Sequence, residues 1–101
     1  MPVRDTLQRS DGLGETELRT ELKAEFDNPK ESGEPDIVVE RPNPSTAHVF
    51  VIWSKWKHLE QMIRSRIIIE AYTEARGADE AAKITVAMGL TRSEATRMGI
   101  K

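Results

Sequence analysis

Apolar positions recur along the chain with two different periods, and the changes of period mark its elements. From about Glu15 to Phe26 the residues Leu18, Leu22 and Phe26 return every fourth position on an otherwise charged background, which predicts a helix with one apolar stripe. Pro29, Gly33 and Pro35 end it in a polar loop. Ile37-Val38-Val39 is a short β-branched run, and a second strand, His48 to Trp53, follows the turn Pro42-Asn43-Pro44-Ser45, so the pair predicts a hairpin. In the second strand Val49/Val51/Trp53 and Phe50/Ile52 make both alternating sets apolar. A strand covered on both faces sits in the middle of a sheet.

The period then returns to that of a helix. Leu59, Met62, Ile63, Ile67, Tyr72 and Ala75 fall at three- and four-residue intervals between Lys55 and Arg76, predicting a long amphipathic helix with room for one break, stopped by Gly77. Ile84, Val86, Met88 and Leu90 alternate with Thr85, Ala87 and Gly89, the pattern of a half-buried strand. Thr91-Arg92-Ser93-Glu94 reads as a capping box opening a closing helix. The expected order is α-β-β-α-β-α: a small α+β domain over residues 15–101, with a three-stranded mixed sheet packed against helices. Met1 to Gly14 has no sustained period and is expected to be a flexible tail. The competing architecture makes Asp79 to Met88 one helix and Ser93 to Met98 another, as a helix-turn-helix reader. The strand is preferred, because Ile84-Thr85-Val86 is a β-branched run.

A chain of 101 residues suits one domain with one modest core. It has no cysteine, which removes disulfides, thiolate chemistry and cysteine-held metal, and leaves His48 and His58 as the nitrogen ligands. No apolar run is long enough for a membrane span or a secretory leader, so a cytoplasmic setting without membrane contact is expected. The net charge of -2 conceals an asymmetry. Asp11 to Glu40 carries ten acidic and three basic residues, Arg41 to Lys101 ten basic and six acidic. A basic second half can favour an anionic partner.

Candidate chemistry is sparse. Ser54, Ser65, His48 and His58 lie in no nucleophile motif, and no glycine-rich phosphate cradle follows a strand. No catalytic residue, metal site or cofactor is expected. The basic and aromatic cluster is Lys55, Trp56, Lys57, Arg64 and Arg66, with Trp53 nearby. Such a set can pair with phosphates or carboxylates and stack a base. The plainer reading gives Glu60–Arg64 and Arg66–Glu70 as helix ion pairs four residues apart and Trp56 as a core anchor.

The order of elements, with a strand running into S-K-W and then R-S-R-I-I opening a long helix, resembles the BolA-like family, whose fold is related to the type II KH fold. Trp56 falls where that family has its aromatic residue, and ITVAMGLTRSE at Ile84 to Glu94 is similar to its last strand and its Thr-x-x-Glu start of the closing helix. The resemblance spans about Glu15 to Gly99. It implies a non-enzymatic regulatory or protein-interaction module, with a glutaredoxin-type protein among the partners. Ser65 stands where the family's Arg-His-Arg signature has the histidine implicated in sharing an iron–sulfur cluster. A serine hydroxyl is a poor ligand for a soft metal centre. The expected mechanism is recognition of an acidic protein by Lys55, Trp56, Lys57, Arg64 and Arg66. The alternative is nucleic-acid binding, KH-like or through a helix-turn-helix.

Overall fold

The structure, a computed structural model, describes residues 5–100, with side chains placed from residue 14 onward. Among these residues helix α1 (Asp5–Asp27) leads into the hairpin β1 (Asp36–Asn43) and β2 (Thr46–Ile52). A single 3-10 turn at Ser54–Trp56 connects to α2 (Gln61–Arg76), and a short α3 (Ala78–Ala81), β3 (Ile84–Leu90) and α4 (Arg92–Met98) complete the chain. The order is α-β-β-α-β-α with one extra turn of helix before the last strand, and the class is α+β.

The sheet runs β1-β2-β3, which puts β2 in the middle, as its two apolar faces require. β1 pairs antiparallel with β2 in the register Ile37↔Val51 and Val39↔Val49. β3 lies parallel to β2, with Phe50↔Met88 and Ile52↔Leu90, so α2 and α3 form the crossover that a parallel pair needs. Ile84 to Leu90 is strand throughout, and the helix-turn-helix alternative is thereby excluded. Val86, Met88 and Leu90 reach one core and, across a register shift, Ile84 reaches the other with Ala87.

Each face of β2 feeds its own cluster. Val49, Val51 and Trp53 meet Leu22 and Phe26 of α1 and Ile67, Ile68, Ala71 and Tyr72 of α2. Phe50 and Ile52 point the other way and meet Leu90 and Ala95. Trp56 is fully buried and donates its indole N–H to the Val51 carbonyl at 2.9 Å. It also meets Trp53 edge-on, ring centres 5.1 Å apart, the arrangement that aromatic quadrupoles favour.

Two expected boundaries move. The long helix expected from Lys55 breaks after Trp56, and α2 proper opens at Gln61. Of the expected tail, residues 1–4 lie outside the described residues, whereas Asp5 onward is helical. Gly12 and Gly14 each cost a helix about 1 kcal/mol against alanine, which is why the sequence argued against helix there. Gly77, at φ 95°, ends α2 in a conformation that residues with a Cβ adopt rarely. The capping box forms as read: Thr91 Oγ1 accepts from Glu94 N, and Glu94 Oε1 accepts from Thr91 N at 2.8 Å.

Gly89 is required by its neighbours. A Cβ placed there would lie 2.8 Å from Arg64 Cβ and 2.8 Å from the Trp56 ring, well inside van der Waals contact. Gly89→Ala is expected to lower unfolding stability by about 1–3 kcal/mol, read from the midpoint of urea unfolding.

Candidate functional site

The five residues of the expected recognition edge separate into two groups. Trp56 and Arg64 turn inward, and Lys55, Lys57 and Arg66 remain exposed. Arg64 occupies the same helical stripe as Ile68 and Ala71, positions i, i+4 and i+7, and its guanidinium lies under the sheet end. Its Nε donates to the Leu59 carbonyl at 2.8 Å, and its Nη1 to the Gly89 carbonyl at 2.9 Å and to Glu94 Oε1 at 2.8 Å. A buried cation persists only when paired and hydrogen-bonded, and Arg64 is both. Neither ion pair expected within α2 forms. Arg64 takes Glu94, Arg66 takes Glu15 across on α1, and Glu70 takes Arg19 at 3.5 Å.

The exposed group is largely neutralised. Lys55 bonds both carboxylate oxygens of Glu21, at 2.9 and 3.1 Å, while lying 5.7 Å from the Trp53 ring centre. With Arg66 on Glu15, Lys57 is the member of the set that has no carboxylate partner among the described residues. His48 faces Glu40 across the hairpin at 3.8 Å, and His58 is exposed. Ser65 donates its hydroxyl to the Ala87 carbonyl at 2.5 Å. No cluster of metal-ligating side chains occurs among the described residues, and no described helix is long and apolar enough to cross a membrane.

Positive charge without a carboxylate partner also gathers in a cleft away from this set. A cleft of about 750 Å³ opens between the loop after α1, strand β1 and the C-terminal half of α2. Phe26, Ile37, Val39 and Tyr72 give it apolar walls, and Lys30, Arg41, Arg76 and Arg92 bring positive charge. Lys30 is spent on Glu25 at 2.5 Å, and Arg92 on Glu34 and Asp36 at 3.8 and 3.6 Å. Arg41 donates to the Tyr72 hydroxyl at 3.3 Å, and Arg76 to the Phe26 carbonyl at 2.8 Å. Neither has a carboxylate partner among the described residues. Tyr72 and Arg76 are one turn apart on α2, and Tyr72 is fixed edge-on against Phe26, centres 5.1 Å apart at 90°. Sequence reasoning missed this site because Arg41 and Tyr72 meet only through tertiary folding. Only the spacing of Tyr72 and Arg76 was visible beforehand.

Two carboxylates near these features have lowered pKa values. Burial pushes Glu25 upward, but the hydrogen bonds that it accepts from the Lys30 ammonium and backbone N–H outweigh this, and the net shift is down. The Thr91 backbone N–H lowers Glu94, and the Arg64 guanidinium adds to the effect. Comparison with protein-family models, curated proteins and solved structures returns no match.

The contrast between the arginines of R-S-R is testable. Arg64→Ala leaves Glu94 without its countercharge and the Leu59 carbonyl without its side-chain donor and is expected to cost roughly 3–5 kcal/mol, whereas Arg66→Ala removes a surface pair worth under about 1 kcal/mol. Chemical unfolding of both variants decides it. A carboxyl depressed in the folded state stabilises above its unfolded value and loses that contribution as pH falls through its lower folded value. Stability is therefore expected to fall below the ordinary glutamate value of 4.5, with a shallower acid limb in Glu94→Gln, measured as urea midpoints across pH.

Proposed function

We propose that this chain is a non-enzymatic protein-interaction module of BolA-like kind, and that it engages an acidic partner through the cleft bearing Arg41 and Arg76. The observation that carries the reading is the pair of guanidiniums that no carboxylate of the described residues pairs with, beside apolar walls. Of the basic residues around R-S-R, Arg64 holds the fold together, Lys55 and Arg66 answer acidic residues of α1, and Lys57 is exposed outside this cleft. A guanidinium held only by neutral acceptors keeps donors for charge-assisted hydrogen bonds to the carboxylate of another molecule. The order of elements and the T-R-S-E capping box support the BolA-like assignment. Ser65, spent on the Ala87 carbonyl, supports a member without the family's cluster ligand.

Nucleic-acid binding is the weaker reading. Glu25, Glu31 and Asp36 share the cleft with its four basic residues, and a polyphosphate chain would meet them as well. A partner presenting one or two carboxylates beside an apolar side chain suits that balance better.

The test is a titration followed by amide chemical shifts. A capped peptide containing one glutamate between valines is expected to shift residues lining the cleft, and Arg41→Ala or Arg76→Ala should each weaken binding about tenfold. Lys57→Ala and Arg66→Ala should leave it nearly unchanged. Binding of single-stranded DNA in preference to the peptide, with shifts centred on Lys55 to Arg66, would refute the proposal.

A further inference from the structure

The sheet has two outer strands, and the fold treats their edges differently. Along β3, side chains of α2 occupy the backbone: Gln61 donates to the Gly89 carbonyl and accepts from its N–H, both at 2.9 Å. Arg64 adds a second bond to the Gly89 carbonyl, and Ser65 takes the Ala87 carbonyl. These groups are closed to any incoming chain. On β1 no side chain of the described residues bonds to the backbone of Ile37 to Arg41. β1 has β2 on one side and no strand on the other, and it is exposed from Val39 onward. An unpaired strand edge is a template for another extended chain.

We infer, resting on the interaction reading above, that the partner segment binds as an added strand on the outer edge of β1, with its acidic side chain directed to Arg41 and Arg76. The cleft runs beside this edge, and Ile37, Val39 and Arg41, alternate residues of β1, all line it. Alternate residues share one face of a strand, and a neighbouring strand places its own alternate residues beside them. The recognised pattern is therefore an apolar residue and a carboxylate two positions apart. The apolar side chain lies against Ile37 and Val39, where Val39 is 40% exposed, and the carboxylate reaches the guanidiniums.

The far end of β1 limits the length of the added strand. The pairing register shifts between Glu40 and Asn43, and Pro42 has no N–H to offer. Both features, together with the charges of Glu40 and Arg41, discourage indiscriminate pairing. The open stretch accepts about five residues, enough for one such pattern and too few for a stable sheet between aggregating chains.

The experiment compares two peptides on the intact chain. One is a capped six-residue peptide of alternating valine and threonine with one central glutamate on the valine face. The other is the same peptide N-methylated at alternate amides, so that strand pairing is lost and every side chain is kept. The unmodified peptide is expected to bind at least about tenfold more tightly, to slow hydrogen exchange at β1 amides, and to give cross-strand proton contacts to Ile37 to Arg41. Equal affinity of both peptides, with loss on Arg41→Ala, would overturn strand addition while leaving the acidic-partner reading intact. Failure of both peptides to bind would overturn both. A concentration-dependent dimer of the free protein with its β1 amides already protected would assign the edge to a second copy, and the inference would fall.

Discussion

The Arg64 guanidinium is the point on which the arrangement turns. It ties the turn before α2, through the Leu59 carbonyl, to the end of β3 at Gly89 and to the first turn of α4 at Glu94. Taking a guanidinium out of water costs several kcal/mol, and the cost is offset only when its donors meet well-placed acceptors. Three elements distant in sequence must therefore be in place together. Gly89 supplies the space, since any side chain there would strike Arg64 or Trp56. Glu94 supplies the countercharge with the same oxygen that accepts from Thr91 N. The helix cap and the buried ion pair are thus one structure.

This network bears on where the chain can recognise something. Polar side chains at the start of α2 face the β3 backbone, and the acidic residues of α1 absorb Lys55 and Arg66. Lys55, Arg66 and Arg92 of the basic second half answer Glu21, Glu15, Glu34 and Asp36 of the acidic first half. Part of the asymmetry survives around Arg41 and Arg76 in the cleft, where no carboxylate of the described residues pairs with either guanidinium.

Much of the architecture was legible because it rests on periodicity. The strand from Ile84 to Leu90, the doubly apolar β2 and the Thr91–Glu94 box each depend on neighbours in sequence and formed as read, except that a register shift turns Ile84 to the opposite core from Val86, Met88 and Leu90. The recognition edge was harder to read because it depended on which way two side chains turn. Arg64 looked like a solvent-facing charge, yet its register with Ile68 and Ala71 places it on the buried stripe. The glycine that makes room for it stands 25 residues away. The cleft was illegible for a related reason. Arg41 and Tyr72 are 31 residues apart, and no local pattern announces that a loop will leave them facing open space.

The buried ion pair also sets an order on the making of the protein. Until the ribosome has delivered the chain as far as Gly89, the hairpin and α2 can collapse, but Arg64 among them has neither the Gly89 carbonyl nor the Glu94 carboxylate. A nascent chain paused before that point would hold a wet, loosened interior around Arg64. Completion of the domain is therefore coupled to the arrival of its last strand and the helix that follows it.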